Sequence, residues 1–372
     1  MRICFIEDTH LHGGTQIWVA EATRAFLGRG ENVTVLAPTD SWVAQQCAAA
    51  GARVVTYDWD EVVKEDDRNI EIWTGALRDC DVALCTVHPP RHGFHCSVFA
   101  ARCIKQGDLK THLIPKTGTI VPEYKREFYL PDESIRSSVI AIADFTRRYL
   151  ITAYNIPEGK VALVYQGTDV RRFQPTEAGR REALLRYPLS DTAEPVLGSI
   201  GSFEHRKGQP VLFEAVSKLV SDALPNLHLM LVGDGPDEEM LKDKVKRMGL
   251  ENNITFFPFT SEPDLVFERI DITVLSSLYK EGLPNVLLES MSMHVPVVSS
   301  NLGGVPEVVF DGLTGYMVEP GDSDELANAI RELWSDAGRY QEMSQNARAL
   351  MDERFDKEIQ FDRFLEYFRT LL

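Results

Sequence analysis

The chain is 372 residues long, and 39 Lys and Arg against 56 Asp and Glu leave a formal charge of −17. With 44% apolar and 26% charged residues it is neither disordered nor fibrous, and it can bury a core for about two domains. So acidic a surface argues against nucleic acid as the main partner, and no run approaches the roughly 18 apolar residues of a membrane helix.

The first strand meets Glu7 and Asp8 at once, so it is not a signal peptide, and a cytoplasmic location is expected. Cys4, Cys47, Cys80, Cys85, Cys96 and Cys103 all fall in the first 103 residues with no C-x-x-C pair. They read as buried free thiols, not as a disulfide scaffold.

Short apolar runs then alternate with helical periodicity, the pattern of βαβ units and parallel sheets. Strands are expected at residues 2–7, 32–38, 53–57, 81–87, 111–116, 138–143 and 161–166. Residues 169–194 break the rhythm with charges, Pro175, Pro188 and a polar run, and read as the connection between a domain at 1–168 and one at 195–355. The second series of strands runs at 196–203, 227–233, 254–259, 271–276, 296–299 and 315–318, with helices at 209–220 and 238–248. Asp322 and Glu325 predict a capping box. In the tail, 356–372, Phe361, Phe364, Phe368 and Leu371 share one helical stripe that should pack on the protein's own domain. Two open α/β domains of this kind leave a cleft at the carboxyl ends of both sheets, where such folds bind ligands.

Four turns at those ends carry chemistry. Gly13 and Gly14 open a helix after the first strand, a place where backbone can approach an anion. In Gly201-Ser-Phe-Glu-His-Arg-Lys-Gly208, Arg206 and Lys207 add positive charge to a helix N-terminus of the same sign, which is unfavourable until an anion arrives. Gly233, Asp234, Gly235 and Pro236 form an ordinary strand-to-helix turn. In Ser277-Leu-Tyr-Lys-Glu281-Gly-Leu-Pro-Asn-Val-Leu-Leu-Glu289, Pro284 suits the first helical position, and Glu281 and Glu289 are acceptors suited to sugar hydroxyls. His88, His92, His95 and Cys96 lack a second ligand pair at zinc spacing and read as loop residues. Asp58-Trp-Asp60 marks a strand end.

Glu281 and Glu289, with seven residues between them, resemble the paired-glutamate signature of glycosyltransferase family 4, retaining enzymes of the GT-B fold. The resemblance extends over nearly the whole chain: His12-Gly-Gly14, residues 167–175, Arg206-Lys-Gly208, residues 232–236, and the block from Glu281 through Gly303-Gly-Val-Pro-Glu307 to Gly315. It implies two Rossmann-like doubly wound parallel-sheet domains facing a central cleft, an acceptor-binding one first and a nucleotide-sugar-binding one second, with the C-terminal helix crossing back to the N-domain. It further implies that Arg206 and Lys207 hold the donor diphosphate, helped by Gly13 and Gly14, with Arg206, Lys207 and Glu281 as the catalytic set. Glu281 and the backbone of Gly282, Leu283 and Pro284 would meet the donor sugar and distal phosphate, and Glu289 the ribose. The base would sit near Gly233, Asp234, Gly235 and Phe257. On the acceptor side stand His12, His88, Lys116 and Thr117, the last two where many members carry His; Ser202 stands where many carry Arg.

The implied activity is metal-independent, retaining transfer of a hexose-type sugar from a nucleotide-diphosphate donor to a hydroxyl of a glycan, lipid or small molecule, with no cofactor. Peripheral membrane contact stays open. A non-catalytic sugar-nucleotide binder and a GT-B epimerase or phosphorylase are the alternatives. A nicotinamide dehydrogenase lacks its fingerprint.

Overall fold

Each continuous apolar run becomes a strand covered by helices on both faces. The computed structural model describes residues 1–10, 13–88, 90, 92–118 and 124–372. Its first sheet comprises β1 (Arg2–Ile6), β2 (Asn32–Pro38), β3 (Arg53–Tyr57), β4 (Val82–Thr86), β5 (His112–Lys116), β6 (Val139–Ala141) and β7 (Val161–Leu163), in the order β3-β2-β1-β4-β5-β6-β7. The second comprises β8 (Val196–Ile200), β9 (His228–Val232), β10 (Ile254–Phe257), β11 (Ile272–Leu275), β12 (Val297–Ser300) and β13 (Gly315–Val318), in the order β10-β9-β8-β11-β12-β13. All pairings are parallel. The strand order reverses between β1 and β4 and again between β8 and β11, and at such points the loops diverge and leave room for a ligand.

The chain forms two compact units, Met1–Tyr165 with Gln360–Leu372, and Gln166–Ile359. The expected boundary at 168 therefore falls slightly earlier, and residues 169–194 are no free connection. Phe173 and Tyr187 are buried in the core of the second unit beside Val266 and Phe267. Between them runs the helix Glu177–Arg186, capped by the Thr176 hydroxyl; Ala183 is its one buried residue, so it shows no apolar stripe to read.

The tail helix, Lys357–Thr370, places Phe361, Phe364 and Phe368 in the first unit's core. There Phe364 lies 5.2 Å from Trp18, ring centre to ring centre, and Trp18 Nε1 donates to Gln360 Oε1 at 3.0 Å. The Asp322 cap forms, accepting from the amides of Asp324 and Glu325. The reciprocal arm of the box does not, because Glu325 accepts from the Glu319 amide instead. No helix among the described residues is long and apolar enough to cross a membrane.

Candidate functional site

The reversal between β8 and β11 decides which side chains meet in the second unit. The loop after β8 carries a short 3-10 turn, His205–Lys207, and the loop after β11 carries Ser277 to Glu281. Three bonds stitch the two loops together: the Leu278 amide to the Arg206 carbonyl at 2.7 Å, Ser276 Oγ to the Lys207 carbonyl at 3.0 Å, and a 3.5 Å contact between Tyr279 Oη and His205 Nδ1. Gly208 makes this closeness feasible. Its φ is +65°, and a Cβ there would overlap the Ser276 carbonyl oxygen. Gly303, at φ +62°, likewise lets the next loop lie against the Glu281 carbonyl, and the Gly304 amide donates to the Gly282 carbonyl at 2.7 Å.

The result is a buried charge cluster. Lys207 Nζ donates to Glu281 Oε1 at 2.5 Å, Ser277 Oγ to the same oxygen at 2.7 Å, and Arg206 Nη1 to it at 3.3 Å. Arg206 Nε donates to Glu204 Oε2 at 2.9 Å. Relative side-chain exposure is 5% for Glu281, 14% for Lys207 and 16% for Arg206. Glu204 is held below the usual carboxylate range, first by the Ser202 hydroxyl and then by the charges of Arg206 and Lys207, against the opposing effect of burial. Neither Ser277 nor Glu204 stood out in the sequence, because a lone serine or glutamate in a loop carries no pattern. Two helices begin beside these loops: Gln209–Asp222, entered at Gly208, and Asn285–Ser292, entered at Pro284. Neither is capped by a side chain, so first-turn amides are left for solvent or a ligand. Pro284 is the N-cap and not the first helical residue. It also has no N–H, so the backbone donors in that segment come from Gly282 and Leu283.

Glu289 does not join this cluster by any hydrogen bond among the described residues. It sits on the second turn of its helix, partly buried, and burial pushes its carboxyl up to about 7. The charges of Arg172 and Lys357 offset the rise in part, and Asp264 adds to it. Phe257 packs edge-on against Tyr187 at 5.1 Å, leaving Phe259, 69% exposed, as the open aromatic of that loop. The turn from Gly233 to Gly235 is sewn to the β8 loop through the Phe203 amide, which donates to the Asp234 carbonyl at 2.6 Å.

The carboxyl end of the first sheet is polar as well. Gly13 is the N-cap of the helix Gly14–Gly28 with no side-chain cap, and among the described residues nothing outside its chain neighbours and its own helix backbone lies within 4 Å of where a Gly14 Cβ would be. Gln16 Nε2 donates to the buried Glu7 at 2.8 Å. Thr86 and Lys116 are register partners at the ends of β4 and β5, with side chains on the same face. The Lys116 ammonium, 4% exposed, lies 4.6 Å from the centre of the Trp18 ring and reaches the Thr117 carbonyl at 3.4 Å. Burial lowers its pKa to about 8, against the opposing charge of Glu7.

Thr117 is fully buried, and its Oγ1 accepts from the Ile142 amide, so its side chain serves the sheet rather than an open acceptor surface. His88 is partly buried, and its carbonyl faces His95 Nε2 at 3.0 Å. His95 is a structural residue: it caps the helix Cys96–Gln106 and stacks on Phe128 at 4.1 Å, with its pKa lowered by burial. Asp58 likewise caps a short helix, accepting from the Asp60 and Glu61 amides. His12 lies outside the described residues.

Residues 181–350, which hold the whole of the second unit's cluster, match the family model described as "Glycosyl transferases group 1". Relatives include the lipopolysaccharide core biosynthesis glycosyltransferase LpsE of Rhizobium meliloti (strain 1021), 31% identical over 192 residues, covering 51% of this chain and 55% of the relative. The alpha-D-kanosaminyltransferase of Streptomyces kanamyceticus is 28% identical over 239 residues, covering 63% and 61%. The chain thus spans little more than half the length of the curated relatives it matches. Among solved structures, a glycosyltransferase from Rickettsia africae ESF-5 superposes on 100% of this chain and 98% of its own with a TM-score of 0.84 at 17% identity. Anabaena Alr3699/HepE in complex with UDP-glucose covers both chains fully with a TM-score of 0.81 at 19% identity. Two Rossmann-like parallel-sheet units, of seven and six strands, define the fold as GT-B.

Proposed function

We propose that the protein is a retaining glycosyltransferase of family 4 that moves a hexose-type sugar from a nucleotide-diphosphate donor to an acceptor hydroxyl. The observation that carries this reading is the meeting of Arg206, Lys207 and Glu281 beside two uncapped helix N-termini at the β8–β11 reversal. Breaking the sugar–phosphate bond builds negative charge on the departing diphosphate. Two fixed cations and two helix N-termini stabilise that charge without a metal ion or a cofactor. Glu281 orients the sugar through its hydroxyls, Glu289 accepts from the ribose, and the exposed Phe259 offers a ring near the base. In a retaining transfer the acceptor hydroxyl attacks from the leaving-group face, and the departing phosphate oxygen takes its proton. Acceptor recognition falls to the first unit, where Lys116, His88 and the start of the Gly14–Gly28 helix are the candidates. The six buried free thiols suit a reducing, cytoplasmic setting.

Titration with UDP-, GDP-, ADP- and dTDP-sugars at pH 6 and pH 8 tests this reading. One nucleotide class should bind and be consumed with release of nucleoside diphosphate, whereas a mere binder would shift the melting temperature and release none. Ribose hydroxyls donate to ionised Glu289, so binding lowers its pKa from about 7 and expels a proton, and affinity should rise several-fold from pH 6 to pH 8. Glu289→Gln should flatten that dependence. In the unliganded chain the same raised pKa acts with opposite sign: the stability it contributes is full below the ordinary value of 4.5 and is lost as pH rises through about 7.

A further inference from the structure

Both cations of the cluster pair with carboxylates. Lys207 is closest to Glu281, Arg206 is shared between Glu281 and Glu204, and these four charges sum to zero. All three donors to Glu281 converge on Oε1, and the carboxylate is 5% exposed. A buried carboxylate stripped of its donors is costly. A diphosphate that engages Lys207 shares an ammonium already bonded to Glu281 and sets its own negative charge beside that oxygen, whose other donors are Ser277 and the longer bond from Arg206.

Building on the donor-site reading above, we propose that Glu281 is a specificity gate that makes the site prefer an intact sugar nucleotide to the bare nucleoside diphosphate. Both ligands share Lys207 with the carboxylate and bring negative charge against it. Only the sugar nucleotide brings hydroxyls that donate to Glu281 in return. The bare diphosphate, which is also the reaction product, leaves its charge against Glu281 uncompensated and is released in favour of the undivided Lys207–Glu281 pair. Discrimination thus comes from a cost imposed on the wrong ligand as much as from a contact to the right one.

The test is calorimetric titration of wild type, Glu281→Gln and Ser277→Ala with UDP and UDP-glucose, with GDP and GDP-mannose run alongside. Glu281→Gln no longer competes for Lys207, so it should bind the bare diphosphate about tenfold tighter and lose most of its preference for the sugar nucleotide. Ser277→Ala leaves Glu281 more dependent on Lys207. It should move the opposite way, weakening the bare diphosphate more than the sugar nucleotide, and it keeps the idea testable should Glu281→Gln fold poorly. Unchanged or weaker diphosphate binding by a folded Glu281→Gln, or equal losses for both ligands in Ser277→Ala, would overturn the gate while leaving the donor site standing. Wild type that binds none of the four, and no ADP- or dTDP-sugar either, would overturn the donor-site reading and the gate together.

Discussion

Lys207→Ala is expected to lower kcat/KM with a nucleotide sugar by a factor on the order of 10²–10³, the loss typical when one preorganised donor to developing charge is removed. The Gly208 turn and Ser276 on its carbonyl fix the Lys207 backbone, and Glu281 Oε1 at 2.5 Å holds the ammonium where the leaving group arrives. The fold should suffer less than the chemistry, since Ser277 and Arg206 remain on the same Glu281 oxygen at 2.7 and 3.3 Å. Steady-state kinetics beside a melting curve separates the two effects. Turnover within a few-fold of wild type would remove Lys207 from the role assigned to it.

Phe364→Ala should cost about 3–5 kcal/mol, the range for truncating a fully buried aromatic in a packed core. Phe364 is fully buried, its ring centre 5.2 Å from that of Trp18 in a tilted contact and 5.9 Å from that of Phe368. Its helix is also tied to the first unit through Arg29–Asp362 at 2.7 Å and the Tyr367 hydroxyl to Ser138 Oγ at 2.7 Å. The loss should be local to that unit. Urea unfolding of the variant should therefore show an early transition involving the first unit, while the melting shift induced by a nucleotide on the second unit is retained. A single, unshifted transition would mean that the tail helix adds little to the core.

The sheets were legible in the sequence because parallel strands buried on both faces are continuous apolar runs. Helix cover leaves no alternation to confuse them, and thirteen runs became thirteen strands among the described residues. Their ends were not. The run expected to reach residue 203 stops at Ile200, because Gly201 turns the chain at φ +150° and Phe203 belongs to the core below the loop. The 169–194 segment was misread for a related reason: Pro175, Pro188 and a polar helix hid the two aromatic anchors, Phe173 and Tyr187, that fasten it to the second unit.

At the site, residue types were legible and partnerships were not. Arg206 and Lys207 stand out as cations at a helix start, and Glu281 as an acid in a glycine-flanked turn. That Lys207 grips Glu281 depends on β8 lying beside β11, a fact of sheet order that local pattern cannot report. Lys116 carries no local signal in the sequence beyond the family resemblance. Its burial against Trp18 comes from a helix and a strand nearly a hundred residues apart in the chain, about 98 by position. Thr117 sits one residue further along, and by strand alternation it turns the other way, into the sheet's own hydrogen bonding.

The most direct measurement is a crystal structure of the protein soaked with whichever nucleotide sugar binds it in titration. The account predicts the diphosphate on Arg206 and Lys207 at the start of the Gln209–Asp222 and Asn285–Ser292 helices, with the sugar hydroxyls on Glu281 and the ribose on Glu289. Nucleotide bound elsewhere, with the Lys207–Glu281 pair undisturbed, would contradict it.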